Sequence, residues 1–146
     1  YRTMEGAESP TRDEAIVIGV TNASQIVAEI WDGSTWTAHP SNALSTVTDS
    51  FWWGFDVEYE SVSGDAVIVY NNGTTGTAGL SYQVWNGSTW SGPSSITTPL
   101  AGEPKAMKLA SHPYTDEMVL VVSNATSQDY ALVWYGSSGG NAQVLA

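Results

Sequence analysis

Trp31 and Trp36, and again Trp85 and Trp90, flank a repeated turn, and the Trp after each turn is suited to recognition chemistry. Each pair brackets a turn, Asp32-Gly33-Ser34-Thr35 in the first and Asn86-Gly87-Ser88-Thr89 in the second. An indole at a surface offers a flat apolar face to a sugar ring and an N–H to a hydroxyl. Trp36 and Trp90 follow the turn and are the candidate carbohydrate-binding residues. Trp31, Trp85 and Trp134 recur at one position and are expected to pack between repeats. Phe51-Trp52-Trp53 cannot all turn to one strand face, so Trp52 and Trp53 form a further candidate interface or ligand patch.

The carboxylates read differently. Asp13–Glu14 and Asp116–Glu117 recur just before an apolar run. An acid–base pair is a singular constellation, so a periodic pair reads as a turn signature. Asp56, Glu58 and Glu60 alternate and so project from one face of a strand. Glu58 and Glu60 are oxygen donors of the kind calcium takes, but no loop has calcium-ligand spacing. Calcium is therefore the one ion in view, and no metal site or cofactor is assigned.

His39 and His112 are each followed by Pro and stand far from any second His in sequence. No G-x-S-x-G elbow occurs. The Gly-rich stretch from Gly73 to Gly79 lacks the Lys and the following helix of a phosphate loop. No residue is assigned as catalytic, and the chain is expected not to be an enzyme. Asn22, Asn72, Asn86 and Asn124 each begin an N-x-S/T sequon at an expected turn, making them candidate glycosylation sites in a secreted chain.

Composition narrows the partners. Four Lys and Arg against fifteen Asp and Glu give a formal charge of −11. Nucleic acid and anionic membranes need a basic surface, and no apolar run reaches the ~18 residues of a membrane-spanning helix. There is no cysteine, hence no disulfide framework or thiolate site. Abundant Ser, Thr, Gly and Asn with scarce Lys point to an extracellular or cell-surface protein.

The elements that must position these residues form a repeat. Met4 to Ser24 matches Met107 to Ser127 in register at Met4/Met107, Ala7/Ala110, Pro10/Pro113, Asp13/Asp116 and Glu14/Glu117. A half-step copy lies between them, with Asp13, Asp65 and Asp116 spaced 52 and 51 residues apart. Each unit of about 51 residues parses into four strands. The second strands, from Ala15, Ala66 and Met118, are nearly continuous apolar runs. Such runs are expected where both faces are covered. The third strands end at the repeated Trp. The fourth are expected at Ser34–Ala38, Ser88–Ser91 and Asn141–Leu145. Asp-Gly and Asn-Gly predict tight hairpins with both turn residues at φ > 0. Four-stranded units repeating at this period describe β-propeller blades, at about 1–48, 51–99 and 103–146 of a single all-β domain. A β-sandwich is the alternative. Three blades fall short of the four to eight that close a ring. The chain is therefore expected to be a segment of a longer array, half of a six-bladed ring, or a unit that polymerises through blade edges.

The runs IVIGV…IVAEIWDGSTW and VIVY…SYQVWNGSTW resemble the blades of fucose-binding propeller lectins. In that family the sugar site takes an Arg from the second strand, a Glu from the third, and Trp. Here the second strands hold no Arg, and the aligned third-strand positions are Ala28 and Tyr82. The resemblance therefore implies the scaffold without the fucose chemistry. The GSTW segments also resemble the Asp-box hairpin of sialidase-type propellers, with Asp32 one place too close to Gly33 and Asn86 in the second copy. More broadly, the alternating units are similar to tandem-repeat microbial surface proteins. A structural or adhesive, non-enzymatic surface module is the expectation, with itself as partner. A carbohydrate-binding propeller lectin is the alternative.

Overall fold

Alternation of apolar and polar residues, broken by Gly- and Pro-bearing turns, produces strands and no helix among the described residues. The computed structural model describes residues 1–46, 54–72, 79–97, 102–124 and 128–136, with the backbone of 143–145. The first sheet holds β1 (Thr3–Glu8), β2 (Ala15–Val20), β3 (Gln25–Trp31), β4 (Trp36–Ala38) and β5 (Ser45–Thr46). The second holds β6 (Phe55–Tyr59), β7 (Ala66–Asn71), β8 (Leu80–Trp85) and β9 (Ser94–Ile96). The third holds β10 (Pro104–Ser111), β11 (Met118–Asn124), β12 (Asp129–Trp134) and β13 (Gln143–Leu145). Each sheet is an antiparallel meander in chain order, except that β5 returns to pair with β3. The ladders give equivalent places to Ala15, Ala66 and Met118, which pair with Trp31, Trp85 and Trp134 respectively.

The second sheet lies between the other two. Ile16, Ile18, Val20, Ile26 and Ile30 of the first sheet pack against Phe55, Val57, Tyr59, Ile68 and Tyr70. Val67, Val69 and Leu80 on its opposite face pack against Met107, Leu109, Leu120, Val122 and Trp134. Each such side chain contributes roughly 1.5–3 kcal/mol when fully buried. β6 packs beside β1 and beside β10, so the sheets fan out from their first strands as propeller-like blades.

Asp56 pins this centre. Its buried carboxylate accepts hydrogen bonds from the Leu109 N–H and, at 3.1 Å, from Lys108 Nζ, which also reaches Glu5 at 3.3 Å. Burial raises the Asp56 pKa, and the donors from Leu109 and Lys108 offset part of that rise.

Three expectations need correction. Only β7 is covered on both faces along its whole length. In β11, Val119 and Val121 remain 43% and 44% exposed, because an end sheet has a neighbour on one side only. The fourth strand of the second sheet is β9, later than Ser88–Ser91, where a single bridge joins Trp85 to Trp90. The corresponding edge of the first sheet is also split: β4 pairs with one end of β3 and β5 with the other. Finally, Asp32 and Asn86 do not reach positive φ; only the glycines do, Gly33 at 89° and Gly87 at 88°. The side chains explain the difference. Asp32 Oδ1 accepts the N–H groups of Ser34 and Thr35 at 2.9 and 2.8 Å. Asn86 Oδ1 accepts those of Ser88 and Thr89 at 3.0 and 2.9 Å. A side chain that caps the loop in this way replaces the two-residue turn with a wider one.

Candidate carbohydrate groove between the first two sheets

β8 delivers Trp85 at its end, and the capped Asn86–Thr89 loop returns Trp90 beside it. Their ring centroids lie 5.4 Å apart, tilted by 45°. Both rings face the first sheet. Ile30, Asp32, Thr37, Ala38 and Pro40 close the opposite wall, and with Gly87 and Ser88 they enclose a cavity of about 430 Å³. That volume lies within the ~300–1,000 Å³ of small-molecule sites, which combine apolar walls with few polar groups.

Asp32 supplies the charge at the rim. It is exposed and takes donors from Ser34 and Thr35, both N–H and hydroxyl. Those donors hold its carboxyl well below the usual carboxylate range. Oδ1 is occupied by three of these bonds and Oδ2 by one, so Oδ2 retains capacity to accept another.

Beneath Trp90 sits His39, which is 3% exposed. The rings meet edge to face with centroids 4.6 Å apart. The Ser41 N–H donates to Nδ1 at 3.1 Å, so the imidazole proton rests on Nε2. From there it donates to Gln83 Oε1 at 3.2 Å, and Gln83 Nε2 donates in turn to the Tyr70 hydroxyl at 3.0 Å. Burial lowers the His39 pKa, more than the Gln83 acceptor raises it. A neutral His39 thus buttresses the aromatic wall.

A second device holds the second and third sheets together. Trp134 Nε1 donates to the buried Glu60 at 2.6 Å, and Ser63 Oγ donates to the other oxygen at 2.6 Å. At the first interface Tyr59 donates its hydroxyl proton to Glu14 at 2.9 Å, and Arg12 pairs with the same oxygen at 3.0 Å. The Trp85 indole N–H is buried there without a well-formed hydrogen bond, yet it lies close enough to favour the Glu14 carboxylate. Burial raises the Glu14 pKa, but Arg12, Trp85 and Tyr59 together bring it below the ordinary value.

Of the candidate residues, Trp90 lies in the groove and Trp36 does not. Trp36 pairs with Trp31 on the opposite face of the first sheet and is 50% exposed. Trp52 and Trp53 lie outside the described residues. Asp56 and Glu60, of the strand weighed for calcium, are both buried and engaged by protein donors. The third, Glu58, accepts the Tyr59 N–H. Among the described residues no three acidic or His side chains cluster as a metal site would. Asn22, Asn72 and Asn86 are exposed. Asn124 is 7% exposed and exchanges hydrogen bonds with Gln128 through both side-chain atoms, so a glycan there would have to displace them. The sequence marks His39 and the Pro40 after it but not their place in the groove, and it does not mark Gln83, because His39 and Gln83, 44 residues apart, meet only when the sheets dock.

No family model and no curated protein matches the chain. Among solved structures it is similar to the BP39L lectin from Burkholderia pseudomallei, with a TM-score of 0.64 and 11% identity. The match covers 99% of this chain and 41% of that lectin, so the chain spans less than half of its length. At that identity the likeness is one of fold: the chain shares the all-β architecture of that structure.

Proposed function

We propose that the chain is a non-enzymatic carbohydrate-binding module, and that the groove between the first and second sheets takes an uncharged sugar. The observation that carries this reading is the wall of two tilted indoles, Trp85 and Trp90, facing an ionised carboxylate across a cavity of about 430 Å³. Indoles stack on the apolar faces of a pyranose, and a carboxylate accepts bonds from adjacent hydroxyls. The negative rim and the −11 net charge disfavour acidic sugars. The lectin-like fold supports the reading without naming a sugar. No catalytic step is assigned to any residue. The surface setting and the division into blades at about 1–48, 51–99 and 103–146 belong to this proposal and rest on composition and repeat spacing.

The test is a glycan array followed by calorimetry on the chain and on Trp90→Ala. Binding of neutral glycans, lost in the variant while the thermal melt stays cooperative, is the expected outcome. A blank array, or unchanged binding by Trp90→Ala, refutes the groove.

A further inference from the structure

The two interfaces inside the chain follow one plan. The Trp-bearing face of each sheet sits on the sheet before it. At the start of that face stands a large apolar residue on the first strand: Phe55 in the second sheet and Met107 in the third, 0% and 5% exposed. The equivalent residue of the first sheet is Met4, because Met4, Phe55 and Met107 pair with Gly19, Tyr70 and Val122 at one ladder position. Met4 is 57% exposed. Trp31 and Trp36 repeat the Trp85–Trp90 arrangement, with centroids 5.6 Å apart and a tilt of 47°. Trp36 too is exposed, whereas Trp90 is half-buried. The first sheet thus carries a complete Trp-bearing face with no sheet before it among the described residues.

The third sheet carries the complementary surface. Its far face shows Val119 and Val121, the ladder equivalents of the buried Ile16 and Ile18. Glu117 is exposed there, while its equivalent, Glu14, keeps 7% of its side-chain exposure inside an interface. A cavity of about 210 Å³ opens beside Val121, lined by Ala106, Met107, Lys108 and Ser123 of the third sheet and by Glu5, which reaches in from β1 to Lys108. At the first interface the equivalents of this lining include Ile18, which packs in one core with Phe55.

We infer that a second copy of this chain docks head to tail, its first sheet on the far face of the third, with Met4 filling the cavity beside Val121. Trp31 then comes to Glu117 as Trp85 comes to Glu14. The contact is heterologous: two different faces meet, so copies close into a ring or extend as a row. The interface is independent of the carbohydrate reading, since it needs no sugar.

Met4→Glu spoils one face and Val121→Glu the other, and both positions are exposed in the single chain. Light scattering of the wild-type chain over increasing concentration is expected to give a multiple of the chain mass. Each variant alone is expected to be monomeric, with an unchanged circular dichroism spectrum. Mixed, they are expected to form a one-to-one pair, because each keeps the face the other lacks. A wild-type chain monomeric at every concentration, association that survives both substitutions, or a mixture that stays monomeric overturns the inference.

Discussion

Mild acid, between pH 7.5 and 5, should loosen this protein through the buried His39. In the folded state both of its ring nitrogens are committed, Nδ1 as acceptor from Ser41 and Nε2 as donor to Gln83. Protonation would place a second proton on Nδ1, opposite the Ser41 N–H, and a charge in a site 3% exposed. The folded pKa is accordingly below the ordinary 6.5. Between the two values the unfolded chain binds more protons, so His39's contribution is present above pH 6.5 and lost as pH falls. The slope approaches one proton's worth, about 1.4 kcal/mol per pH unit, or roughly 3–5 °C in Tm for a chain of this size. Urea unfolding at half-unit steps from pH 7.5 to 5 measures it. His39→Ala leaves the Ser41 N–H and the Gln83 carbonyl unpaired and should cost about 2–3 kcal/mol at pH 7.5. It should also flatten the curve below pH 6.5, so that the two proteins converge on acidification. Parallel curves for wild type and His39→Ala across that window would sink the argument.

Further outcomes follow from the same geometry. Asp32→Asn should preserve the loop, since Asn86 already caps the equivalent turn. It should nonetheless weaken sugar binding by roughly 10- to 100-fold in calorimetry, the worth of a hydrogen bond to a charged group. Trp134→Phe removes the donor to the buried Glu60 and should lower stability by about 2–3 kcal/mol in denaturant titration; a change below ~0.5 kcal/mol would show the bond to be idle. Gly87→Ala meets both a φ of +88° and the Arg12 guanidinium 2.9 Å from the new methyl. It should cost at least about 1 kcal/mol, and a neutral Tm would mean that the loop relaxes freely.

Strand order and the places of Trp31, Trp85 and Trp134 could be read from the chain, because these depend on local alternation and on spacing that repeats. Whether a strand is covered on both faces could not, since β2, β7 and β11 are alike in sequence and differ only in how many neighbours they have. The same holds for the tryptophans after the turn. Trp36 and Trp90 share a local pattern, yet only Trp90 meets a wall from the preceding sheet. The groove's other contributors come from the first sheet, across a packing contact that periodicity does not encode. The hairpin prediction failed more locally: Asp-Gly and Asn-Gly signal a tight turn, but the following Ser-Thr offers the Asp and Asn side chains a second set of donors.

The split outer edge has a consequence for the behaviour of the chain at high concentration. An outermost strand normally exposes a row of unpaired backbone groups, a template on which other chains add as strands. Here that row is cut short: β4 has three residues, β5 two and β9 three. The first sheet's gap between β4 and β5 is filled by the turn holding Pro40, which lacks an N–H to offer. Among the described residues, no strand on the outer edge of the first two sheets reaches the roughly six residues typical of a cross-β segment.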